Sequence, residues 1–151
     1  MFRGPIHRRP DGTFAVDLAA PERDVLRTLV DQLRELITTD SPALSRLFPP
    51  PYGDDEARNE GYAALAGPEL IEHRLAALEV VRDTVDATTL DEEQLSAWMR
   101  SINDVRLVLG TMLEVTDDDV PPSVDEGNAA TYQAYEYLGF LLERIVAALT
   151  D

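Results

Sequence analysis

The 151-residue chain contains neither cysteine nor lysine. Without cysteine, these residues hold no disulfide, no thiolate metal ligand, no cysteine nucleophile and no redox-sensing thiol. Without lysine, all thirteen positive side chains are arginines, whose flat forks suit bidentate or stacked contacts. Glycine and proline are few, at 8 and 10, while 44% of residues are apolar, so a packed core is expected rather than disorder. No apolar run approaches the roughly 18 residues that suggest a membrane span. The start does not read as a signal peptide. The expectation is a cytoplasmic protein without a membrane partner, and residues 1–151 suit one domain.

The charge is lopsided: 29 acidic residues against 13 basic ones, net −16. It is also segregated. Met1 to Pro10 holds Arg3, His7, Arg8 and Arg9 and no acid. Residues 1–19 therefore read as a basic arm on an acidic body, 20–151. Thr13 to Leu18 alternates as a half-buried strand should, and Arg9-Pro10-Asp11-Gly12 is a turn in which proline presets φ and glycine supplies a positive one. The arm is thus a β-hairpin. An isolated hairpin is marginal in water, so it must lie on helices or pair with another chain.

Everything after Ala20 reads helical. Pro21 suits a first helical position, and Leu26, Leu29, Leu33 and Leu36 form a stripe widened by Val25, Val30 and Ile37. A short helix follows through about Leu47, and a second runs from Asp54-Asp55-Glu56 to about Ala66 before Gly67-Pro68 breaks the chain. Pro68 starts a long helix with Ile71, Leu75, Leu78, Val81 or Arg82, and Val85 inward, and Thr88-Thr89-Leu90-Asp91 separates it from the next. There Asp91 and Gln94 fit a capping box. Leu95, Trp98, Ile102, Val105, Leu109 and Met112 then repeat so regularly that this helix should be the central one. After a loop at 116–122, the last helix begins near Ser123 or Ala129, with Tyr135, Leu138, Leu142, Ile145 and Leu149 inward. The expected fold is mainly α: a helical bundle of about four long and two short helices with an N-terminal β-hairpin.

Three stretches resemble one actinobacterial family. They are Asp40-Ser41-Pro42-Ala43-Leu44-Ser45-Arg46-Leu47-Phe48-Pro49 with Tyr52 and Asp54-Asp55-Glu56; Arg74-Leu75-Ala76-Ala77-Leu78-Glu79-Val80-Val81; and Trp98-Met99-Arg100-Ser101-Ile102-Asn103-Asp104-Val105-Arg106-Leu107-Val108-Leu109-Gly110-Thr111. In order and spacing they are similar to the family known as domain of unknown function 2017, or AosR-like. The chain departs from the family's pattern at Gly61-Tyr62-Ala63-Ala64, where a more charged stretch is usual. The resemblance implies a cytoplasmic α-helical protein, often encoded beside the Clp adaptor ClpS and a JAMM-type metalloprotease, and frequently labelled a transcriptional regulator. It brings no catalytic residues.

The residues themselves argue against an enzyme. There is no Gly-x-Ser-x-Gly, no glycine-rich phosphate loop and no HExxH, and no cofactor is expected. Glu69 and His73, four apart, make at most two metal ligands and read as a surface pair, so no metal site is expected. The acidic triplets at 54–56, 91–93 and 117–119 read as helix-start residues that complement the dipole. Asn103, Asp104 and Arg106 are the polar set most in need of explanation. They form a boundary network, with Arg100 paired to Asp104 and Arg106 bonding carboxylates on adjacent helices, or a pocket in which Arg106 grips an anion. Tyr132, Tyr135, Tyr137 and Phe140 cover more than one face of the last helix, which points to a homodimer seam.

The functional expectation is a non-enzymatic regulatory or adaptor protein working through contacts with an unidentified protein partner. The alternative is a transcriptional regulator contacting DNA through Arg3, His7, Arg8 and Arg9. Nucleic-acid faces need clustered positive charge, and a body this acidic repels the duplex, so the charge favours the first.

Overall fold

The computed structural model describes residues 4–39, 51–113 and 127–150. The hairpin forms: β1 (Ile6–Arg8) pairs antiparallel with β2 (Phe14–Val16), Ile6 opposite Val16. Gly12 closes the turn at φ 88°, its N–H donating to the Arg9 carbonyl at 3.0 Å. Asp11 accepts from the Thr13 hydroxyl and N–H, which holds its carboxyl below the usual range. A third strand, β3 (Thr89–Leu90), pairs with β2 and sets Phe14 opposite Leu90. The sequence shows this segment only as a helix separator, because two residues carry no periodicity and the pairing reaches across more than 70 positions. With β3 in place β2 is the central strand, and all three of its residues are buried.

Four helices follow among the described residues. In α1 (Ala20–Thr39) the inward seam is Leu26, Val30, Leu33 and Ile37; Leu29 and Leu36 are only flanking, and Val25 faces water. The expected break at Gly67-Pro68 does not occur. One helix, α2 (Glu56–Thr84), runs through Pro68. Proline's fixed φ is helical, so the cost is chiefly a lost hydrogen bond and a steric push on the preceding turn. Ala64, the carbonyl that would have accepted, is exposed to water, and no described residue from 51 to 70 is buried. Asp55 caps this helix, accepting from the Arg58 N–H at 3.2 Å. The expected short helix near Leu47 and the 116–122 loop lie outside the described residues.

The central helix is α3 (Glu92–Met112), and its capping box forms: Asp91 accepts from the Gln94 N–H at 2.7 Å, and the Gln94 side chain accepts from the Asp91 N–H at 2.9 Å. Ten of its residues are buried, and it packs against both α2 and α4 (Ala129–Thr150). Trp98 is fully enclosed, its indole N–H donating to the Thr84 hydroxyl at 2.8 Å. Met112, expected inward, is 51% exposed because the stripe has rotated off the core by the helix end. On α4 the seam is Leu138, Leu141, Ile145 and Ala148; Tyr135, Leu142 and Leu149 flank it. No helix among the described residues is long and apolar enough to cross a membrane.

Ser101 is fully buried on α3, and its hydroxyl has no hydrogen-bond partner among the described residues. An unsatisfied buried hydroxyl costs about 1 kcal/mol or more, and alanine is the better helix former. Ser101→Ala should therefore raise stability by about 1 kcal/mol in urea unfolding; a loss would show that the hydroxyl is served.

Candidate functional site

An opening lies between α2 and α3. It is a groove of about 840 Å³, and its contents are ordered along its length. Glu92 and Glu93 stand at one end, where α3 begins with acids suited to its positive pole. The middle is lined by small side chains, Ala76 and Ala77 from α2 with Ser96 and Ala97 from α3. At the other end His73 and Arg74 of α2 meet Arg100, Asn103 and Asp104 of α3.

Asp104 is the only buried ionisable residue among those described. Arg74 donates to its carboxylate at 2.5 Å across the helix seam. Burial nonetheless dominates and raises the Asp104 pKa, with Arg74 and, at longer range, Arg100 opposing it. The expected Arg100–Asp104 pair is therefore not the one formed. An i,i+4 neighbour shares the helix face, but Asp104 points inward across the seam while Arg100 is exposed. Thirty residues separate Arg74 from Asp104, so no local spacing announces their pairing. Arg100 has no ion-pair partner among the described residues. Asn103 is exposed at the groove wall, and Glu69 and His73 are both exposed on α2.

Arg106 turns toward α4, across α3 from Asp104, and the exposed Asn103 lies between them around the helix. Its guanidinium stacks over the Tyr135 ring at 4.4 Å, and Gly139 leaves it room: a Cβ there would approach Nε to 3.1 Å. Its buried Nε has no hydrogen-bond partner among the described residues, so a planar cation–π contact takes the place of the expected carboxylates. The three-residue polar set is thus split between two faces of one helix.

The aromatic set is divided as well. Tyr137 turns toward Glu22 at the start of α1, and burial with that carboxylate nearby pushes its pKa up. Tyr132 faces Glu136, which also raises its pKa, and Tyr135 lies under Arg106. Phe140 is 50% exposed on the outer face of α4, where Arg144 approaches its ring. In the arm, Arg8 stacks on Phe14 and donates to the carbonyls of Ala148 and Leu149 at 3.3 and 3.1 Å, capping the end of α4. Arg9 is exposed, His7 is half-buried within β1, and Arg3 lies outside the described residues.

A family model described as Domain of unknown function (DUF2017) matches residues 3–149. The chain belongs to the DUF2017 family. The protein named Oxidative stress regulator AosR in Mycobacterium tuberculosis is 31% identical, over 72% of this chain and 58% of its own length. An AosR protein of Mycobacterium leprae is 29% identical, over 73% of this chain and 59% of its own length. This chain thus spans just under three fifths of those relatives. No solved structure matches. Within this DUF2017 chain, the stretches Arg74–Val81 and Trp98–Thr111 that carry the resemblance face one another as α2 and α3. The stretch at 40–49 lies outside the described residues.

Proposed function

We propose that this DUF2017 chain is a non-enzymatic regulator of an oxidative-stress response that acts through protein contacts. The regulatory setting comes from the relatives named Oxidative stress regulator AosR. The single observation carrying the mode of action is where the arm's cations go. Arg8, central to any DNA-contacting arm, is engaged by Phe14 and the α4 carbonyls although it is exposed, which leaves Arg9 as the one arm arginine among the described residues whose guanidinium makes no hydrogen bond or ring contact. Phosphate neutralisation needs several clustered cations, and the chain carries a net −16. These residues also contain no cysteine, so an oxidant signal reaches them through a partner rather than a thiol of their own.

The test is capture from a lysate of the source organism, with and without nuclease, beside a mobility-shift assay on random-sequence duplex at physiological salt. The expected results are a protein retained after nuclease treatment and no shift. A shift that Arg8→Ala and Arg9→Ala abolish, with capture lost to nuclease, would replace this reading with the DNA-contacting one. The exposed Phe140 and Val146 on α4 favour self-association as a second element of the reading. Light scattering should then give a dimer mass that Phe140→Glu reduces to a monomer, and a wild-type monomer at tens of micromolar would remove it.

A further inference from the structure

The α2–α3 groove has a polarity that specifies its occupant. Three of its features run in order along α3: Glu92 and Glu93, then Ser96 and Ala97, then Arg100. At 1.5 Å per residue, Glu92 to Arg100 spans about 12 Å, or just over two helical turns. The α2 wall supplies the matching order, with Ala76 and Ala77 in the middle and His73 and Arg74 at the cationic end. Small side chains in the middle let another backbone come close, while a charge of opposite sign stands at each end. In a chain with 29 acids and 13 arginines, most described arginines are already engaged with carboxylates, carbonyls or rings. Arg100 makes no ion pair, hydrogen bond or ring contact among the described residues and acts only at longer range on the buried Asp104 carboxylate, which Arg74 already holds.

We propose that the α2–α3 groove receives an amphipathic helix of a partner protein, bearing carboxylates in its first turn and an arginine or lysine about eight residues later. Its acidic start lies at His73 and Arg100, its small or leucine-sized contact face rests on Ala76, Ala77 and Ala97, and its basic end meets Glu92 and Glu93. This orientation runs parallel to α2 and antiparallel to α3. A helix with acids at its start and a base at its end is favoured by its own dipole, so the groove selects a sequence already stable as a helix. Recognition follows the helix-in-groove mode, with charge at the two ends fixing direction and register. The proposal deepens the protein-contact reading and rests on it.

The probe is a labelled, alanine-based 14-residue helix with a Glu pair in its first turn, Leu at mid-length and an Arg pair in its last turn, followed by fluorescence anisotropy on the full chain. Micromolar binding is expected, weakened at least tenfold by Arg100→Glu and by Ala76→Trp. Both positions are exposed, and an unchanged helical circular-dichroism signal verifies that the variants fold. A second probe with Arg pairs at both ends should bind wild type at least tenfold more weakly and regain affinity on Arg100→Glu. Binding of the two probes with equal affinity, binding insensitive to both substitutions, or no binding at all would overturn the groove assignment. Nuclease-resistant capture from lysate that persists in Arg100→Glu and Ala76→Trp would show that the protein-contact reading stands and the groove assignment alone has failed.

Discussion

Replacing Arg23 with alanine is expected to destabilise the protein by about 3 kcal/mol. The guanidinium reaches four backbone carbonyls: Leu18 from Nε at 3.1 Å, Val85 and Ala87 from Nη1 at 2.7 and 2.8 Å, and Val16 from Nη2 at 3.1 Å. It thereby ties β2, the entry to α1 and the end of α2 at one point. Hydrogen bonds to a charged donor contribute about 1.5–3 kcal/mol each, but one side chain's bonds do not add, because a single loss leaves several carbonyls free to recruit water together. For a chain this size, about 3 kcal/mol lowers Tm by roughly 6–12 °C. Arg23→Lys should recover only part, since a compact ammonium cannot span carbonyls from three segments. Thermal and urea unfolding measure both variants; a loss below about 1 kcal/mol in Arg23→Ala would mean that water replaces the fork.

Arg74→Ala should cost about 3 kcal/mol at pH 7 and progressively less as the pH falls. Removing the arginine leaves the Asp104 carboxylate buried without its partner, and breaking a buried pair from one side is expensive. Burial already raises the Asp104 pKa above 3.8 in the folded protein with Arg74 present, and losing Arg74 raises it further. An acid whose folded pKa lies above its unfolded one binds a proton more readily when folded. Its contribution to stability therefore declines as pH rises from the unfolded pKa through the folded one, and is lowest above both. The gap between wild type and Arg74→Ala should accordingly widen from pH 4 to pH 7, and adding Asp104→Asn should flatten it. A gap constant across that range would show that something other than the stranded carboxylate causes the loss.

Legibility differed element by element, and the reasons are physical. The hairpin was readable because Arg9-Pro10-Asp11-Gly12 and the alternation beside it are local signals for a local structure. The α3 boundaries were readable because Asp91 and Gln94 cap each other within one turn and the apolar repeat is sustained. Pro68 misled, since proline marks a break only where its missing hydrogen bond cannot be made good, and exposure of that turn is not written in the sequence. Asn103, Asp104 and Arg106 stand out in the sequence as polar residues beside an apolar stripe, but their partners do not. Asp104 meets Arg74 and Arg106 meets Tyr135, each a contact between helices.

Composition and short-range pattern by themselves determined the helical class, the acidic body, the absence of thiol chemistry in these residues, the hairpin turn and the caps. Each depends on residue type or on neighbours within one turn, where chain connectivity holds the interacting groups together. Tertiary structure alone decided that β3 completes the sheet, that Arg23 gathers carbonyls from three segments, and that Arg8 closes the end of α4. It also placed two stretches of small and charged residues face to face as a groove. Those outcomes join residues tens of positions apart, and which of many arginines meets which acceptor is settled only when burial of the apolar seams brings the helices into register.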